Sequence, residues 1–325
     1  MDKETFRTLP REHVAYLLKS HHSQSVAMAV NGTRRWFILD HGLLPEDHPQ
    51  QYLDAMARAY VRICRLFYSL GITSLVMPVY GQELAGRGKR YRSLAAKGLV
   101  NLATDPALLE FYRAEGIRVH FYGDYRAYFE GTPEAYLSDI LDGLAPQTAS
   151  HARFRLFLGV CAETATEQVI RLVAAHMQQT GRAPDKRKLV ELYYGEEVAP
   201  IAMFIGFDQF NMFDVPLLTT GAEDLYFTVA PSPYLNEAQL RDILYDHMFM
   251  RRTSKDTANL GGIDLQAMKR FYAANRHATL GLGVRYGGVW YPLPNAERMD
   301  FASPPDEEKQ QSGPHRDERM DARLL

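Results

Sequence analysis

Two kinds of apolar pattern alternate along the chain. Short, nearly continuous apolar runs span 26–30, 72–79, 117–122, 154–160, 202–207 and 225–229. Such runs are typical of parallel strands that are covered on both faces. The longer stretches between them repeat apolar residues every three or four positions, which predicts helices. We therefore expect an α/β fold: a single domain with a mainly parallel central sheet and helices on both faces.

The ends of the chain differ from its centre. Residues 1–25 contain a short helical pattern at about 11–20, and we assign residues 26–292 to one folded domain. From residue 303 onward Pro, Glu, Lys, Gln and Asp dominate, which predicts a disordered tail over 303–325. Residues 130–150, rich in Gly, Pro, Ser and Thr, are the best candidate for a mobile loop. Gly287 and Gly288 predict the turn of a hairpin over 280–292.

The first apolar run leads directly into a basic turn. Val26 to Val30 are followed by Asn31, Gly32, Thr33, Arg34 and Arg35, a pattern that predicts a buried strand turning into a helix. The first N–H groups of a helix lack intrahelical partners and carry the positive end of its dipole, so they bind anions.

The two arginines favour an anion site at this turn. A cation near a helix N-terminus is unfavourable by about 0.3–1 kcal/mol, so Arg34 and Arg35 suggest that a negative group lies above them. A solvated basic pair after an ordinary Asn-Gly turn is the alternative, and the segment alone leaves both interpretations open.

Other candidate residues follow the same logic. Ligands of parallel sheets gather at the carboxyl ends of the strands. Asn31, Tyr80, Gly123 and Phe207 all fall at such ends in the predicted sheet. We expect these four residues to lie at the same edge of the sheet, where the strands end.

Composition narrows the class of protein. The chain has 325 residues, a formal net charge of -2 and 46% hydrophobic residues. This is typical of a soluble globular protein, and it argues against a nucleic-acid partner, because such proteins usually carry a basic face. Cys64 and Cys161 are far apart and predict neither a disulfide framework nor a cysteine metal site. Without a signal-peptide pattern or an apolar run near 20 residues, we expect a cytoplasmic protein with no transmembrane segment.

Several common catalytic motifs are missing from the sequence. There is no G-x-G-x-x-G after a strand, no Walker A sequence and no G-x-S-x-G elbow. Tyr245, Asp246 and His247 are consecutive positions of a predicted helix, and consecutive helical residues do not face one another. They do not form a triad among themselves.

Several segments together resemble one family. They are Val26-Ala-Met-Ala-Val-Asn-Gly-Thr-Arg-Arg-Trp36, Val119-His-Phe-Tyr-Gly-Asp124 and Asp224-Leu-Tyr-Phe-Thr228, followed by Tyr234, Leu240 and Arg251-Arg252. These resemble the cis-prenyltransferases of the undecaprenyl diphosphate synthase group, whose first loop reads D-G-N-x-R-W. Further segments are similar to the terpene-forming branch of that family: Tyr193-Tyr-Gly-Glu196, Met203-Phe-Ile-Gly-Phe207, Phe213-Asp214, Pro216-Leu-Leu218, Leu225-Tyr-Phe-Thr-Val-Ala-Pro-Ser232 and Ile243-Leu-Tyr-Asp-His247.

Two departures from the family pattern carry consequences. Elongating members bind a second diphosphate through an R-x-x-x-E-x-R-type segment, whereas the matching residues 204–211 contain no arginine. The resemblance therefore implies an enzyme that does not elongate chains. The first-loop aspartate of the family is Asn31 here. An amide oxygen can bind Mg²⁺ but brings no charge, which lowers the expected affinity.

The resemblance also assigns roles to residues. It implies that Asn31, Tyr52 and Tyr91 act in catalysis, with Asn31 as the candidate ligand of Mg²⁺. It implies diphosphate binding by Gly32, Thr33, Arg34 and Arg35, and a substrate pocket that includes Tyr80, Phe207, Phe210 and Asp214. The expected roles of Tyr52 and Tyr91 are to steady a carbocation and to orient a nucleophile.

The expected function is that of a diterpene synthase. It would ionise an allylic bicyclic diterpenyl diphosphate made by a separate class II cyclase, release diphosphate and let water capture the cation, giving a diterpene alcohol. Terpenyl transfer to a nucleoside such as adenosine is one alternative, and a noncatalytic prenyl-diphosphate-binding homologue is another. By analogy with the family we expect a homodimer.

Overall fold

The computed structural model describes residues 1–81, 88–212, 214–251, 262–286 and 289–292. Its strands are β1 (Ser25–Met28), β2 (Ser74–Tyr80), β3 (Ile117–Tyr122), β4 (Phe154–Val160), β5 (Met203–Phe207), β6 (Asp224–Thr228), β7 (Gly283–Tyr286) and β8 (Val289–Pro292). The helices before β3 are α1 (Lys3–Thr8), α2 (Arg11–Ser20), α3 (Thr33–His41), α4 (Pro49–Ser69), α5 (Lys89–Thr104) and α6 (Pro106–Glu115). Those after β3 are α7 (Tyr125–Phe129), α8 (Tyr136–Asp142), α9 (Leu144–Gln147), α10 (Ala165–Thr180), α11 (Lys186–Tyr194), α12 (Glu237–Tyr245) and α13 (Gly262–Asn275).

A six-stranded parallel sheet forms the centre of the fold. Its strand order is β3-β4-β2-β1-β5-β6, and all five pairings are parallel. Val26 of β1 lies opposite Leu75 of β2 on one side and Met203 of β5 on the other. The predicted α/β class is confirmed, and β1 is an interior strand with neighbours on both sides.

The two faces of the sheet pack against different helices. Successive strand residues point to opposite faces, so Val26 and Met28 join the apolar cluster that includes α4, α5 and α6, whereas Ala27 and Ala29 join the cluster that includes α11. Phe6, Val14 and Leu18 of α1 and α2 are also buried in the first cluster. The N-terminal helices therefore complete one layer of the core.

The expectation of a mobile loop over 130–150 is wrong. This segment contains α8 and α9, and its buried residues Leu137, Leu141 and Leu144 belong to the first cluster. Leu137 and Leu141, four positions apart, lie on one face of α8, and Leu144 begins α9. The Gly, Pro, Ser and Thr content of the segment masked this pattern.

The other predicted elements agree with the structure to within a few residues. The helix predicted at about 11–20 is α2, and the predicted hairpin is the antiparallel pair β7–β8. The last strong helix continues beyond α12 as a π-helix over Asp246–Met250. Gly287, Gly288 and the tail 303–325 lie outside the described residues. Within the described ranges no helix is both long and apolar enough to cross a bilayer.

The chain divides into two compact units. One comprises Met1–Thr253 and Gly283–Pro292, and contains the six-stranded sheet and the hairpin. The other comprises Ser254–Leu282 and Leu293–Leu325, of which the described part is mainly α13. All the candidate residues lie in the first unit.

Candidate active site

Ser232 fixes the turn that follows β1. Its hydroxyl accepts a hydrogen bond from the Asn31 N–H at 3.0 Å and donates to the Ala29 carbonyl at 3.0 Å. Its own N–H donates to the Asn31 carbonyl at 3.0 Å. Ser232 is buried, so these bonds are shielded from water. They fix the orientation of the backbone N–H and the backbone carbonyl of Asn31.

Gly32, the residue before α3, has a backbone conformation that other residues rarely adopt. Its φ is +74°, and an added Cβ would lie 2.6 Å from the Phe207 ring. As N-cap residue it offers no side chain to the first N–H groups of α3. These first N–H groups therefore have no side-chain cap, and an anion site at this turn stays a prediction.

Both arginines of the turn contact carboxylates. Arg34 Nε lies 3.0 Å from Glu46 Oε1, and Arg35 Nη1 lies 3.0 Å from Asp208 Oδ2. The Arg35 guanidinium also lies over the Phe207 ring, 5.4 Å from its centroid. Because guanidinium groups bind phosphate and carboxylate in the same forked geometry, a diphosphate can take the place of these carboxylates.

Tyr52 connects the turn to α4. Its hydroxyl lies 2.8 Å from Thr33 Oγ1, and its ring meets Phe37 edge-on at 5.2 Å. Burial raises the pKa of Tyr52 to about 12, and Tyr91 is close enough to contribute to this shift. The structure thus brings Tyr52, Tyr91 and the turn together. With this pKa, Tyr52 stays protonated near neutral pH and can donate a hydrogen bond.

The four proposed pocket residues lie in different surroundings. Tyr80 is buried at the end of β2, where burial raises its pKa, and Phe207 packs on Gly32. Phe210 is 51% exposed and packs on Phe227 with ring centroids 4.9 Å apart. Asp214 lies beside Tyr122, whose hydroxyl donates to its carbonyl at 2.6 Å. The structure therefore places Tyr80 and Phe207 at the ends of the strands that flank β1, but not Phe210 or Asp214.

The donor atoms around the turn do not form a prebuilt metal centre. Among the described residues, no three His, Cys, Asp or Glu side chains converge to hold a metal ion. Asn31 can offer one neutral amide oxygen, and the carboxylates beside the turn, Glu46 and Asp208, pair with Arg34 and Arg35. A hard cation prefers charged oxygen ligands. This donor set does not fit a strongly bound Mg²⁺.

Three residues of this site were not predicted from the sequence. Ser232 lies between Pro231 and Pro233 in the segment after β6, and its signal is a lone hydroxyl residue near a strand end. Asp208 follows Phe207 at the end of β5, within the segment 204–211 that contains no arginine. Glu46 lies in a polar loop whose pattern gives no indication of its partner.

A serine, a histidine and an aspartate are linked at the opposite edge of the sheet. His247 Nδ1 lies 2.6 Å from Asp224 Oδ2, and its Nε2 lies 2.8 Å from Ser23 Oγ. Ser23 precedes β1 and Asp224 begins β6, so the group lies at the amino ends of the strands. Ser23 and His247 are buried, and both ring nitrogens of His247 are engaged in these contacts. The group links three segments of the fold.

A cavity of about 270 Å³ lies at the carboxyl end of β3. Its walls include Tyr122, Gln168 and Tyr193. The Tyr193 hydroxyl and Gln168 Oε1 have no hydrogen-bond partner among the described residues. Buried polar atoms of this kind commonly bind ordered water.

Two enzymes resemble the chain in sequence. It is 35% identical over 296 residues to tuberculosinyl adenosine transferase of Mycobacterium tuberculosis, and the match covers 90% of this chain and 98% of that protein. It is 24% identical over 246 residues to (+)-kolavelool synthase of Herpetosiphon aurantiacus, covering 75% of this chain and 81% of that protein. No protein-family model matches the chain.

Solved structures with the same fold are cis-prenyltransferases. Lavandulyl diphosphate synthase from Lavandula x intermedia, in complex with dimethylallyl diphosphate, matches with a TM-score of 0.57 and 17% identity over 71% of this chain and 97% of that one. A probable undecaprenyl diphosphate synthase from Campylobacter jejuni matches with a TM-score of 0.52 and 13% identity over the same shares. At these identities the likeness shows the fold. The match over nine-tenths of its length shows that the chain, which has the cis-prenyltransferase fold, belongs to the family of tuberculosinyl adenosine transferase.

Proposed function

We propose that this chain is a diterpene synthase. It ionises an allylic bicyclic diterpenyl diphosphate, releases diphosphate and lets water capture the carbocation to give a diterpene alcohol. The observation that carries the proposal is the turn from Asn31 to Arg35: a fixed helix N-terminus with two arginines, at the carboxyl end of an interior strand.

Ionisation requires that charge on the departing oxygen be stabilised. The C–O bond breaks and its electron pair leaves with the diphosphate. The first N–H groups of α3 and the guanidinium groups of Arg34 and Arg35 are positioned to receive that charge. Fixed donors of this kind usually make the largest single contribution to catalysis, because they need no reorganisation as the charge develops.

The resulting allylic cation needs apolar surroundings with aromatic faces. A cation over an aromatic ring gains about 0.5–2 kcal/mol. Tyr52, Tyr80 and Tyr91 lie on the elements next to the turn, and Tyr52 is held by Thr33. We assign Tyr52 and Tyr91 to steadying the cation and orienting the nucleophile, with Tyr80 and Phe207 as walls of the pocket.

The end of β5 supports a reaction without chain elongation. The residues at 204–211 include no arginine, and Asp208 adds a negative charge beside the turn. A second diphosphate would meet repulsion there instead of a guanidinium fork. The bicyclic substrate must come from a reaction that closes rings and keeps the diphosphate, which is the chemistry of a separate class II cyclase.

Transfer of the terpenyl group to a nucleoside is the second candidate. It is supported by the 35% identity to an enzyme whose name states adenosine as acceptor. The noncatalytic alternative receives no such support, since both similar proteins are named as enzymes.

The reaction is tested by incubating the purified chain with bicyclic and linear C20 diphosphates, with and without adenosine. We expect diphosphate release from the bicyclic substrate and a diterpene alcohol in the organic extract. Replacing Arg34 and Arg35 together with alanine should abolish turnover, because the departing diphosphate loses both guanidinium groups. Malachite-green detection after pyrophosphatase treatment and mass spectrometry of the extract are the measurements.

Arg113→Ala is the matched control for the double variant. Arg113 is an exposed helical arginine paired with Glu110, so its loss should leave turnover unchanged. Full activity of the double variant would remove the diphosphate site from this turn. Release of isoprenoid products longer than the substrate would show elongation and contradict the assignment.

Gly32 offers a steric test of the same turn. Gly32→Ala should lower turnover by at least about 100-fold, because its Cβ would displace Phe207 and strain a positive φ by about 1–3 kcal/mol. Gly42→Ala is the matched control: Gly42 ends α3 with φ +65°, but a Cβ there meets nothing within 4 Å. Its thermal stability should fall while its turnover is kept. Equal kinetics for the two variants would show that the geometry of the turn is unimportant.

We also propose that Mg²⁺ assists turnover but is weakly bound at Asn31. Asn31→Asp restores a charged oxygen, so the Mg²⁺ concentration for half-maximal activity should fall, or activity at fixed Mg²⁺ should rise. A Mg²⁺ titration of initial rates in both proteins measures this. Superimposable titrations would show that residue 31 does not bind the metal.

The homodimer remains a proposal. Apolar residues on and next to the edge strand β6 are exposed, namely Phe210, Leu225, Val229 and Tyr234. Such a patch at a sheet edge is typical of a protein interface. Light scattering should give a mass near twice 37.0 kDa, and Leu225→Asp should shift it toward the single-chain value. A wild-type mass of one chain at micromolar concentration would contradict the dimer.

A further inference from the structure

Asp208 has structural features that are typical of a functional carboxylate. It is 6% exposed, and its Oδ1 has no hydrogen-bond partner among the described residues, while Oδ2 contacts Arg35. Its φ is +70°, a conformation uncommon for a residue other than glycine. A buried carboxylate with an unpaired oxygen is costly, and strained residues cluster at functional sites. These features call for a functional explanation.

The position of Asp208 links it to the turn from Asn31 to Arg35, which we call the diphosphate turn. It follows Phe207, whose ring contacts Gly32 and lies under the Arg35 guanidinium. Its carboxylate contacts Arg35, one of the two arginines to which we assign diphosphate binding. When Arg35 turns to the diphosphate, the Asp208 carboxylate is left without its cationic partner.

The other acidic or phenolic groups near the turn are less suited to accept a proton. Both oxygens of Glu46 contact Arg34, at 3.0 and 3.4 Å. Burial raises the pKa of Tyr52 to about 12, so its hydroxyl is a donor. Asp214 lies with Tyr122 on the α11 side. Asp208 is the carboxylate of this group that contacts the turn through one oxygen only.

We propose that Asp208 binds and deprotonates the nucleophile that captures the terpenyl cation. This role rests on the proposed function. The C–O bond of the substrate breaks with its electron pair on the diphosphate, and a lone pair of the nucleophile forms the new bond to carbon. The O–H or N–H bond breaks, its electrons stay on the nucleophile, and the proton moves to the Asp208 carboxylate. The proton passes to solvent when diphosphate leaves and Arg35 returns.

This arrangement selects a class of nucleophile. A neutral molecule with an O–H or N–H on its nucleophilic atom can donate to Oδ1, whereas an anionic one is repelled. Water and the amino group of a nucleoside both meet this requirement.

Asp208→Asn tests the role with little change of shape, since asparagine also tolerates positive φ. Wild type and variant are incubated with the bicyclic C20 diphosphate, in buffer alone and with adenosine. Total diphosphate, hydrocarbon, alcohol and adenosine adduct are measured. We expect diphosphate release to change less than about threefold, and the ratio of captured product to hydrocarbon to fall at least about tenfold, because general bases contribute about 10²–10⁴-fold. The cation then loses a proton to diphosphate instead.

Glu46→Gln is the matched control, because it frees Arg34 of the same turn and leaves Asp208 in place. Its product ratio should equal that of wild type. The buffer and adenosine arms show which nucleophile the wild type uses. An unchanged ratio in Asp208→Asn, an equal fall in release and capture, or the same ratio change in Glu46→Gln would overturn the role. Absence of diphosphate release from wild type would instead remove the proposed function, and this role with it.

Discussion

The hydrogen bonds of Ser232 are the constraint on which the site depends. The diphosphate turn follows β1, but the hydroxyl that fixes it comes from the segment after β6, which is separated from β1 by β5. Arg62 of α4 holds that segment by donating to the carbonyls of Pro233 and Leu235. The same helix carries Tyr52, which contacts Thr33. One connected set of contacts therefore positions the donors for the diphosphate and the tyrosine assigned to the cation.

The charges of the turn are balanced by the protein itself. Two arginines at a helix N-terminus are unfavourable there, and Glu46 and Asp208 offset them through one ion pair each. The two partners differ in exposure and in the number of oxygens engaged. Arg34 is held by both oxygens of its partner, whereas Arg35 is held by one oxygen and an aromatic face. Arg35 is thus the arginine that leaves its carboxylate partner more easily. A bound anion would therefore gain binding free energy mainly from Arg35.

The sequence predicted the framework of the fold and the location of the turn. Apolar runs report burial on both faces, so the six strands were recognisable, and strand ends of a parallel sheet share an edge. The helices over 130–150 were not predicted because the Gly, Pro, Ser and Thr content suggested a loop, although Leu137, Leu141 and Leu144 recur every three or four positions. Ser232 and Asp208 were missed for another reason. Their roles come from contacts across 201 and 173 residues of chain, which no local pattern reports.

The ion pair between Arg35 and Asp208 has a consequence for product inhibition. Inorganic diphosphate resembles the leaving group, and a turn with two free guanidinium groups would retain it after each cycle. Here an internal anion competes for one of them at a high effective concentration, because it is attached to the same chain. If the turn binds diphosphate as proposed, this competition weakens the ester and the free diphosphate by the same factor. The ester keeps the affinity of its hydrocarbon part, so the inorganic product, which lacks that part, would leave quickly without any change of fold.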